Sequence, residues 1–404
     1  MINFNKFFKR VITSLRLRFY RLYTLPRLEK QIREKKCISV AFCVWSLGSW
    51  KSESLYKRML IHDRFRPILI LVSGYEKDNF DSLKDYCDKN NYSYEIIDNA
   101  ARSLWKEYRP DIIFYQKPYG GELLNNLNSL FCYTTYAFHN STEDWAFKTA
   151  LIYCCWQVYY ENKDLCLYYT NKLGRGVWNG YATGIPPMDD LLTPKEQFKN
   201  PWKGNNDKKR IIFAPHHSIN PDNWWQSSTF LETGELMLEL AEKYSDSVQW
   251  AFKPHPLLRS KLEQIWGKKK TDEYYNQWEM VEWSQFENGD YIGLFKHSDA
   301  MIHDCGSFIE EYHVTQNPVM FLIREKEIKN PWNDITEKAF QLHYKGRTRE
   351  EIEQFIQNVI DGKDSRKEER MNFFDTYLTL PNNRSACENI MDCILSPDAK
   401  KKYR

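Results

Sequence analysis

The chain has 404 residues, a length that favours two domains, each large enough to bury its own core. Its hydrophobic content of 42% and aromatic content of 16% exclude an intrinsically disordered protein. The formal net charge of +3 is unevenly spread, because residues 1–36 carry eleven Lys or Arg against two Asp or Glu. The remainder is therefore acidic overall, which argues against a nucleic-acid-binding protein.

The basic segment 1–36 has the pattern of an amphipathic helix. Apolar residues recur at i, i+3, i+4 and i+7 spacing, and most of the lysines and arginines lie off that stripe. Such a helix suits the anionic inner face of a cell membrane, so we predict that residues 1–36 form a membrane-contact arm. A helix packed on the protein's own body is the alternative. The apolar positions are Phe4, Phe7, Phe8, Val11, Ile12, Leu15, Phe19 and Leu22.

Cysteine usage and hydropathy predict a cytoplasmic protein that is peripheral to the membrane. The ten cysteines are scattered and form no CxxC pair, as expected of small core residues in a reducing compartment. Charged residues interrupt the apolar stretch at the N-terminus, so we expect no signal peptide. The longest apolar candidate, residues 149–160, is too short to span a bilayer.

From residue 37 onward, strand-like and helix-like segments alternate, which predicts a mostly parallel sheet with helices on both faces. Residues 37–195 are predicted to form a first Rossmann-like domain, and the polar, lysine-rich residues 195–209 a linker. The predicted strands are 37–44, 66–72, 94–97, 111–115 and 131–136, and the predicted helices are 51–61, 78–90 and 148–160.

A second alternating series follows the linker and predicts another Rossmann-like domain over 208–380. A C-terminal helix and tail occupy 381–404. The fold class is thus α/β, with two Rossmann-like domains facing across a cleft and an N-terminal amphipathic helix. The predicted strands here are 211–214, 248–252, 299–303 and 319–323, with helices at 229–244, after 307, and at 349–360.

Two loops of the second domain carry histidines directly after predicted strands. His255 is flanked by prolines, which keep its backbone out of a helix and favour a positioned site, and Lys253 adds a cation beside it. His216 and His217 follow the strand at 211–214. Adjacent side chains point to different sides, so one of these two is expected to enter the site. A structural or surface role is the alternative for these residues.

A third loop presents a corner suited to phosphate. Gly306 permits close backbone approach, and Ser307 begins a predicted helix whose free N–H groups and dipole attract anions. Ser307 also fits an N-cap with Glu310 as its capping-box partner. Asp304 precedes the corner, and Glu311, one turn into the helix, is placed to accept hydrogen bonds from a ribose unless it is simply exposed. With the histidine loops, this corner predicts a pocket for the pyrophosphate of a nucleotide-activated donor.

A zinc site is the metal alternative in the second domain. It would gather His216 or His217 with His255, His303 and Asp304. These residues come from three separate strand ends, and no single segment has ligand spacing such as H-E-x-x-H. We therefore expect no metal and no cofactor.

His139 is the candidate base of the first domain. It follows the strand at 131–136 and is expected to face the cleft, where it would take a proton from an acceptor hydroxyl. His62, the other histidine of that domain, lies at the end of a predicted helix. A hydrogen-bonded structural role is the alternative for His139.

Read in series over roughly residues 208–325, these motifs resemble the CDP-glycerol glycerophosphotransferase family, which extends teichoic acid and related phosphopolyol polymers. The segment ending at His217 is similar to the family's Ala-Pro-Thr/His motif, and Lys253-Pro-His255-Pro to its His-Pro motif. The stretch 298–307 is similar to its Ser-Asp…Thr-Asp-Tyr-Ser-Ser segment, and 317–319 to the Lys-Pro-Val strand that follows. In the first domain, Phe-His139-Asn stands where family members usually carry Trp-His-Gly-Thr-Pro.

The resemblance implies a GT-B fold, a CDP-linked donor, no metal requirement and a membrane-peripheral enzyme. It also implies that His255 and Ser307 contact the donor phosphates. The predicted function is transfer of a glycerol-phosphate or related polyol-phosphate unit from CDP-glycerol or a similar donor to a lipid-linked or polysaccharide acceptor of a cell-surface polymer. The first alternative is a GT-B glycosyltransferase that uses a nucleotide sugar. The second is a non-catalytic GT-B scaffold that binds polymer at the membrane.

Overall fold

The computed structural model divides into two compact units that differ from simple halves of the chain. Unit 1 comprises Met1–His139, Glu143–Asp190 and Leu380–Arg404, and unit 2 comprises Asn140–Thr142 and Leu191–Thr379. The structure describes residues 4–73, 77–98, 109–118, 127–142, 145–173, 178–204, 207–219, 228–289, 291–323 and 331–404.

Unit 1 is built on a seven-stranded sheet of order β3-β2-β1-β4-β5-β6-β7, in which every neighbouring pair is parallel. The central strands are almost wholly apolar and buried, as parallel strands covered on both faces require. The strands are β1 (Ile38–Val44), β2 (Phe65–Ser73), β3 (Tyr94–Asp98), β4 (Ile112–Tyr115), β5 (Leu130–Thr134), β6 (Gln157–Tyr160) and β7 (Gly180–Ala182).

Unit 2 contains a six-stranded parallel sheet of order β10-β9-β8-β11-β12-β13. Since β9, β8 and β11 are adjacent, the loops that follow them leave from the same edge of the sheet. The strands are β8 (Lys209–Ala214), β9 (Val248–Phe252), β10 (Ser284–Phe286), β11 (Ala300–His303), β12 (Val319–Leu322) and β13 (Tyr344–Gly346).

Helices cover both sheets, and short 3₁₀ or π turns extend several of them. The α-helices are α1 (Phe4–Phe19), α2 (Leu25–Glu34), α3 (Glu53–Leu60), α4 (Lys77–Lys89), α5 (Ala150–Cys154), α6 (Lys163–Leu173), α7 (Pro186–Leu192), α8 (Phe230–Lys243), α9 (Leu258–Trp266), α10 (Lys268–Glu279), α11 (Ile292–Lys296), α12 (Phe308–Glu311), α13 (Asp334–Gln341), α14 (Arg349–Ile360), α15 (Lys367–Phe373), α16 (Ala386–Leu395) and α17 (Pro397–Lys402). The turns are Tyr20–Thr24, Leu47–Ser49, Trp145–Lys148, Lys195–Gln197, Tyr312–Thr315, Phe374–Leu378 and Pro381–Asn383.

The predicted helix at 148–160 is wrong. Only Ala150–Cys154 is helical, and Gln157–Tyr160 is the buried strand β6, which pairs with β5 and β7. The Val-Tyr-Tyr run has high strand propensity, and tertiary pairing overrides the apolar continuity that favoured a helix. The three-residue strands β7, β10 and β13 were also missed, because three residues are too few to show a period.

The second half of the N-terminal segment packs against the rest of unit 1. The Tyr20 hydroxyl donates to the Ser129 carbonyl at 2.8 Å, and Ile32 is buried in the unit 1 core. Along α1, in contrast, Ile12, Leu15 and Phe19 are exposed by 53%, 59% and 61%. Among the described residues, no helix combines the length and the apolar character needed to cross a membrane.

The C-terminal helix α16 completes the unit 1 core. Ser385 and Glu388 form a capping box at its start, and Cys387, Ile390 and Ile394 pack into the core beneath the first sheet. Gly184 approaches this segment so closely, at a φ of +79°, that a Cβ there would lie 3.0 Å from the Ala386 Cβ. The last 25 residues of the chain are thus an integral part of unit 1.

Candidate active site

Three histidines from two loops cluster at the carboxyl edge of the unit 2 sheet. The ring of His217 lies 4.2 Å from that of His216 and 4.0 Å from that of His255, centroid to centroid, and His216 and His255 are 5.0 Å apart. One nitrogen from each ring lies within 4.8 Å of the others. Both adjacent histidines therefore enter the cluster, whereas the sequence predicted only one of them.

Backbone hydrogen bonds hold these loops against each other. The Lys253 N–H donates to the Phe213 carbonyl at 2.8 Å, and the His255 N–H donates to the Pro215 carbonyl at 3.0 Å. This pairing extends the β8–β9 ladder beyond the strands, which fixes His255 beside His216. The flanking prolines have no N–H to donate, so His255 supplies the donor that connects the two loops.

The same loops set the tautomers of two rings. The Leu257 N–H donates to His255 Nδ1 at 3.1 Å, and the Ser218 N–H donates to His216 Nδ1 at 3.3 Å. A neutral imidazole whose Nδ1 accepts must carry its proton on Nε2, so we assign both rings as Nε2–H donors; the Ser218 hydroxyl, 2.8 Å from His216 Nδ1, then donates to the same nitrogen. Nε2–H groups of this kind suit the oxygen atoms of a phosphate.

Burial keeps all three rings neutral near pH 7. Burial, followed by the nearby His217 and the cations Lys253 and Lys261, lowers the pKa of His255 to about 3. Burial and Lys261 lower the pKa of His217 to about 4, and burial holds that of His216 well below 6.5. The positive charge of the cluster therefore resides on the two lysines.

Asp304 holds the histidine cluster in place through hydrogen bonds to the loop after β8 and to the start of α8. Its carboxylate accepts hydrogen bonds from the His216 N–H at 2.6 Å, the Ser228 hydroxyl at 2.7 Å, and both the N–H and hydroxyl of Thr229. Thr229 immediately precedes α8, so the carboxylate also lies at the positive end of a fourteen-residue helix. Both Asp304 oxygens thus bind protein groups and connect β8, β11 and α8.

The corner at Gly306 and Ser307 differs from its predicted form. Helix α12 has only four residues, and within the described residues the Ser307 side chain makes no capping hydrogen bond. The capping-box prediction is wrong, because Glu310 is buried and accepts instead from the Thr336 hydroxyl at the start of α13. The Ser307 hydroxyl lies 3.1 Å from Cys305 Sγ. A single helical turn aligns few peptide dipoles, so any anion here depends on local N–H groups.

Glu311 and His303 face protein partners. Glu311 is buried and accepts a hydrogen bond from the Tyr291 hydroxyl at 2.7 Å. The His303 ring is fully buried, with its Nε2 3.1 Å from His343 Nε2. The zinc set that combined His303 with His255 is therefore not assembled in the described part of unit 2.

His139 forms a buried pair with Glu161 in unit 1. Its Nδ1 lies 2.9 Å from both carboxylate oxygens, and its backbone N–H donates to one of them at 2.7 Å. The rings of Phe147, Tyr160 and Tyr169 surround the imidazole at 5.1–5.3 Å between centroids. Sequence reasoning missed Glu161. Its position directly after a strand was the available signal, and the predicted helix at 148–160 concealed it.

The family of the chain follows from comparison with known proteins. A family model for the CDP-glycerol:poly(glycerophosphate) glycerophosphotransferases matches residues 177–396, more than half of the chain. The chain belongs to this family. No curated protein sequence matches it.

Solved structures share the fold of this glycerophosphotransferase-family chain at low sequence identity. The wall teichoic acid polymerase TagF is 14% identical with a TM-score of 0.61, over 100% of each chain. S. aureus MnaA, solved with UDP, is 14% identical with a TM-score of 0.58, over 88% of this chain and 96% of its own. UDP-GlcNAc 2-epimerase from Neisseria meningitidis is 12% identical with a TM-score of 0.56, over 89% and 100%. The predicted GT-B fold is confirmed.

Family membership makes the chain a teichoic-acid-type transferase. The region that matches the family model contains the candidate residues of unit 2. All histidines of the cluster, Asp304 and the Gly306–Ser307 corner lie within the matched span 177–396. His139 and Glu161 lie before it.

Proposed function

We propose that the protein transfers a glycerol-phosphate or related polyol-phosphate unit from a CDP-linked donor to a lipid-linked or polysaccharide acceptor in cell-surface polymer biosynthesis of the teichoic acid or capsule type. The observation that carries this proposal is the histidine cluster of unit 2. Two neutral rings with Nε2–H donors lie beside Lys253 and Lys261, at the sheet edge where α/β folds bind ligands.

In the proposed reaction, an acceptor hydroxyl attacks the β-phosphorus of the donor. The new acceptor O–P bond forms as the bond between the β-phosphorus and the bridging oxygen breaks, and CMP leaves with the bridging electron pair. His139 takes the acceptor proton. The charge on the phosphates is stabilised by His255, by His216 or His217, and by the N–H groups at Gly306 and Ser307. Each good hydrogen-bond donor contributes about 3 kcal/mol.

The tautomers favour an anion over a metal ion at the cluster. A metal bound at Nε2 leaves the proton of a neutral ring on Nδ1. In His255 that proton would oppose the Leu257 N–H, and in His216 it would oppose the Ser218 N–H and turn to the Ser218 hydroxyl, 2.8 Å away, as its acceptor. A phosphate oxygen that accepts from Nε2–H leaves both backbone hydrogen bonds intact.

A thermal-shift panel tests the donor. We expect CDP-glycerol or CDP-ribitol, at 100 times its dissociation constant, to raise the free energy of unfolding by about 2.7 kcal/mol. CMP release on addition of an acceptor would complete the assignment. Stabilisation by a UDP- or CMP-sugar with sugar transfer would establish a glycosyltransferase instead. Polymer binding without CMP or UDP release from any donor would establish a scaffold.

We further propose that α1 holds the protein on the inner, cytoplasmic face of the membrane. Leu15, Phe19 and Leu22 lie exposed along the N-terminal segment, and Arg16 and Arg18 accompany them in its last turns. Apolar side chains that enter the acyl region and cations that contact anionic headgroups are the two contributions such binding requires.

Replacing Leu15 and Phe19 with glutamate tests this contact. Each side chain contributes about 1.5–3 kcal/mol when removed from water, so the double variant should bind phosphatidylglycerol vesicles at least about 100-fold more weakly in a sedimentation assay. Ile61→Glu is the matched control, because Ile61 is 86% exposed on the same unit but outside α1. Substitution is preferable to deletion of 1–36, which would remove the buried Ile32. Equal sedimentation of all three proteins would contradict membrane contact.

A further inference from the structure

Glu161 and His139 each follow one of two neighbouring strands of the unit 1 sheet. His139 lies in the loop after β5, and Glu161 directly follows β6, which pairs with β5 in parallel register from Cys132↔Gln157 to Thr134↔Tyr159. Their side chains therefore meet at the carboxyl edge of the unit 1 sheet. Their 22-residue separation in sequence gives no indication of this contact.

The carboxylate determines which imidazole nitrogen carries the proton. An ionised carboxylate only accepts hydrogen bonds, and both oxygens of Glu161 lie 2.9 Å from His139 Nδ1. Nδ1 of the neutral ring must then be the N–H donor, and Nε2 carries the lone pair. One oxygen also accepts the His139 backbone N–H at 2.7 Å, so backbone and ring are held by the same group.

We propose that Glu161 is the positioning residue for the acceptor-activating base. It holds His139 as the Nδ1–H tautomer, leaves Nε2 free of its own proton, and stabilises the imidazolium that forms when Nε2 takes the proton of the acceptor hydroxyl. This inference rests on the proposed function, in which His139 is that base. The arrangement follows the general logic of a histidine base oriented by a buried carboxylate.

Burial makes the pair sensitive to the charge of its carboxylate. Glu161 is 1% exposed, so water cannot replace its carboxylate as the hydrogen-bond partner of His139 Nδ1. In Glu161→Gln, the side-chain oxygen is expected to remain on the backbone N–H. Its NH₂ group then replaces the oxygen that contacts only the ring, so Nδ1 loses one acceptor and faces a donor, which favours the tautomer with the proton on Nε2.

The test combines turnover with a direct measurement of the tautomer. CMP release from CDP-glycerol would be followed with a short-chain lipid bearing a terminal glycerol phosphate as the acceptor probe. We expect Glu161→Gln to lower kcat by about 1000-fold or more, with KM for CDP-glycerol little changed, and Glu161→Asp to recover at least about 10-fold of that loss. Glu53→Gln is the control. It also removes the charge of a partly buried carboxylate of unit 1, which accepts a hydrogen bond from the Tyr86 hydroxyl.

Nitrogen-15 NMR of imidazole-labelled protein reports the tautomer without any turnover, with His139→Gln used to assign the signal. A proton on Nδ1 in the wild type and on Nε2 in Glu161→Gln supports the proposal. Unchanged kcat in Glu161→Gln, or a wild-type proton on Nε2, would overturn it. If Glu161→Gln fails to fold, the wild-type spectrum and the Glu161→Asp turnover decide. A wild type that releases no CMP from either CDP-glycerol or CDP-ribitol refutes the proposed function, and the spectrum still tests the tautomer.

Discussion

His255→Ala is expected to lower the rate of CMP release from CDP-glycerol by about 100-fold or more while the protein remains folded. The variant removes an Nε2–H donor that we place on the donor phosphates, and one such donor contributes about 3 kcal/mol in a water-poor site. The backbone bond from residue 255 to the Pro215 carbonyl is retained, because alanine keeps its N–H. The measurement is kcat and KM by coupled CMP detection, with the melting temperature measured in parallel.

His62→Ala is the matched control for this substitution. His62 uses the same local arrangement, since its Nδ1 accepts from the Arg64 N–H at 3.1 Å, but it lies in unit 1 outside the candidate site. Loss of activity only in His255→Ala would assign the effect to the Nε2–H group. Turnover like that of the wild type in His255→Ala would remove His255 from the mechanism.

The free energy of unfolding is expected to fall steeply as the pH drops from about 6.5 toward 3. Burial lowers the pKa of His303 and of His313 to about 3, and that of His343 well below 6.5. Imidazoles of the unfolded chain titrate near 6.5 and bind protons that the folded rings reject, so acid favours unfolding. Each ring contributes about 1.4 kcal/mol per pH unit, or about 4 kcal/mol per unit for the three.

In the described part of unit 2, the three buried rings form a connected group, and no acidic side chain contacts any of them. His303 Nε2 meets His343 Nε2 at 3.1 Å, while His343 Nδ1 and His313 Nε2 both contact the Ala339 carbonyl. The nearby charges that further lower the pKa values are the cations Lys345 and Arg370. Protonation of any ring therefore adds an uncompensated positive charge to the interior of unit 2.

Urea unfolding from pH 4 to pH 8 measures this dependence. His313→Leu removes one titrating ring and should flatten the slope by about 1.4 kcal/mol per pH unit. Superimposable slopes for His313→Leu and the wild type would show that the buried group does not govern acid sensitivity.

The fold and the loops of the candidate site were predictable from sequence, because buried parallel strands leave continuous apolar runs and ligand loops follow their carboxyl ends. The direction in which each side chain at a strand end points was not predictable from sequence. His303 shares a sheet face with Met301, two residues earlier, and so turns into the interior, where His343 meets it from forty residues away. Asp304 and Glu161 act on protein partners from other strands, and single-chain patterns carry no record of such contacts.

The return of α16 to the first sheet has a consequence for biosynthesis. Unit 1 lacks Cys387, Ile390 and Ile394 of its core until residues 380–404 are translated, and the same residues supply the Tyr403 carbonyl that accepts from the Ala182 N–H at 2.7 Å. The second unit is contiguous over residues 191–379 apart from one short segment, so its chain is synthesised before the residues that complete the first unit. A purified chain truncated after residue 379 should therefore give a protease-resistant second unit and a protease-sensitive first, the reverse of the order expected for N-to-C folding.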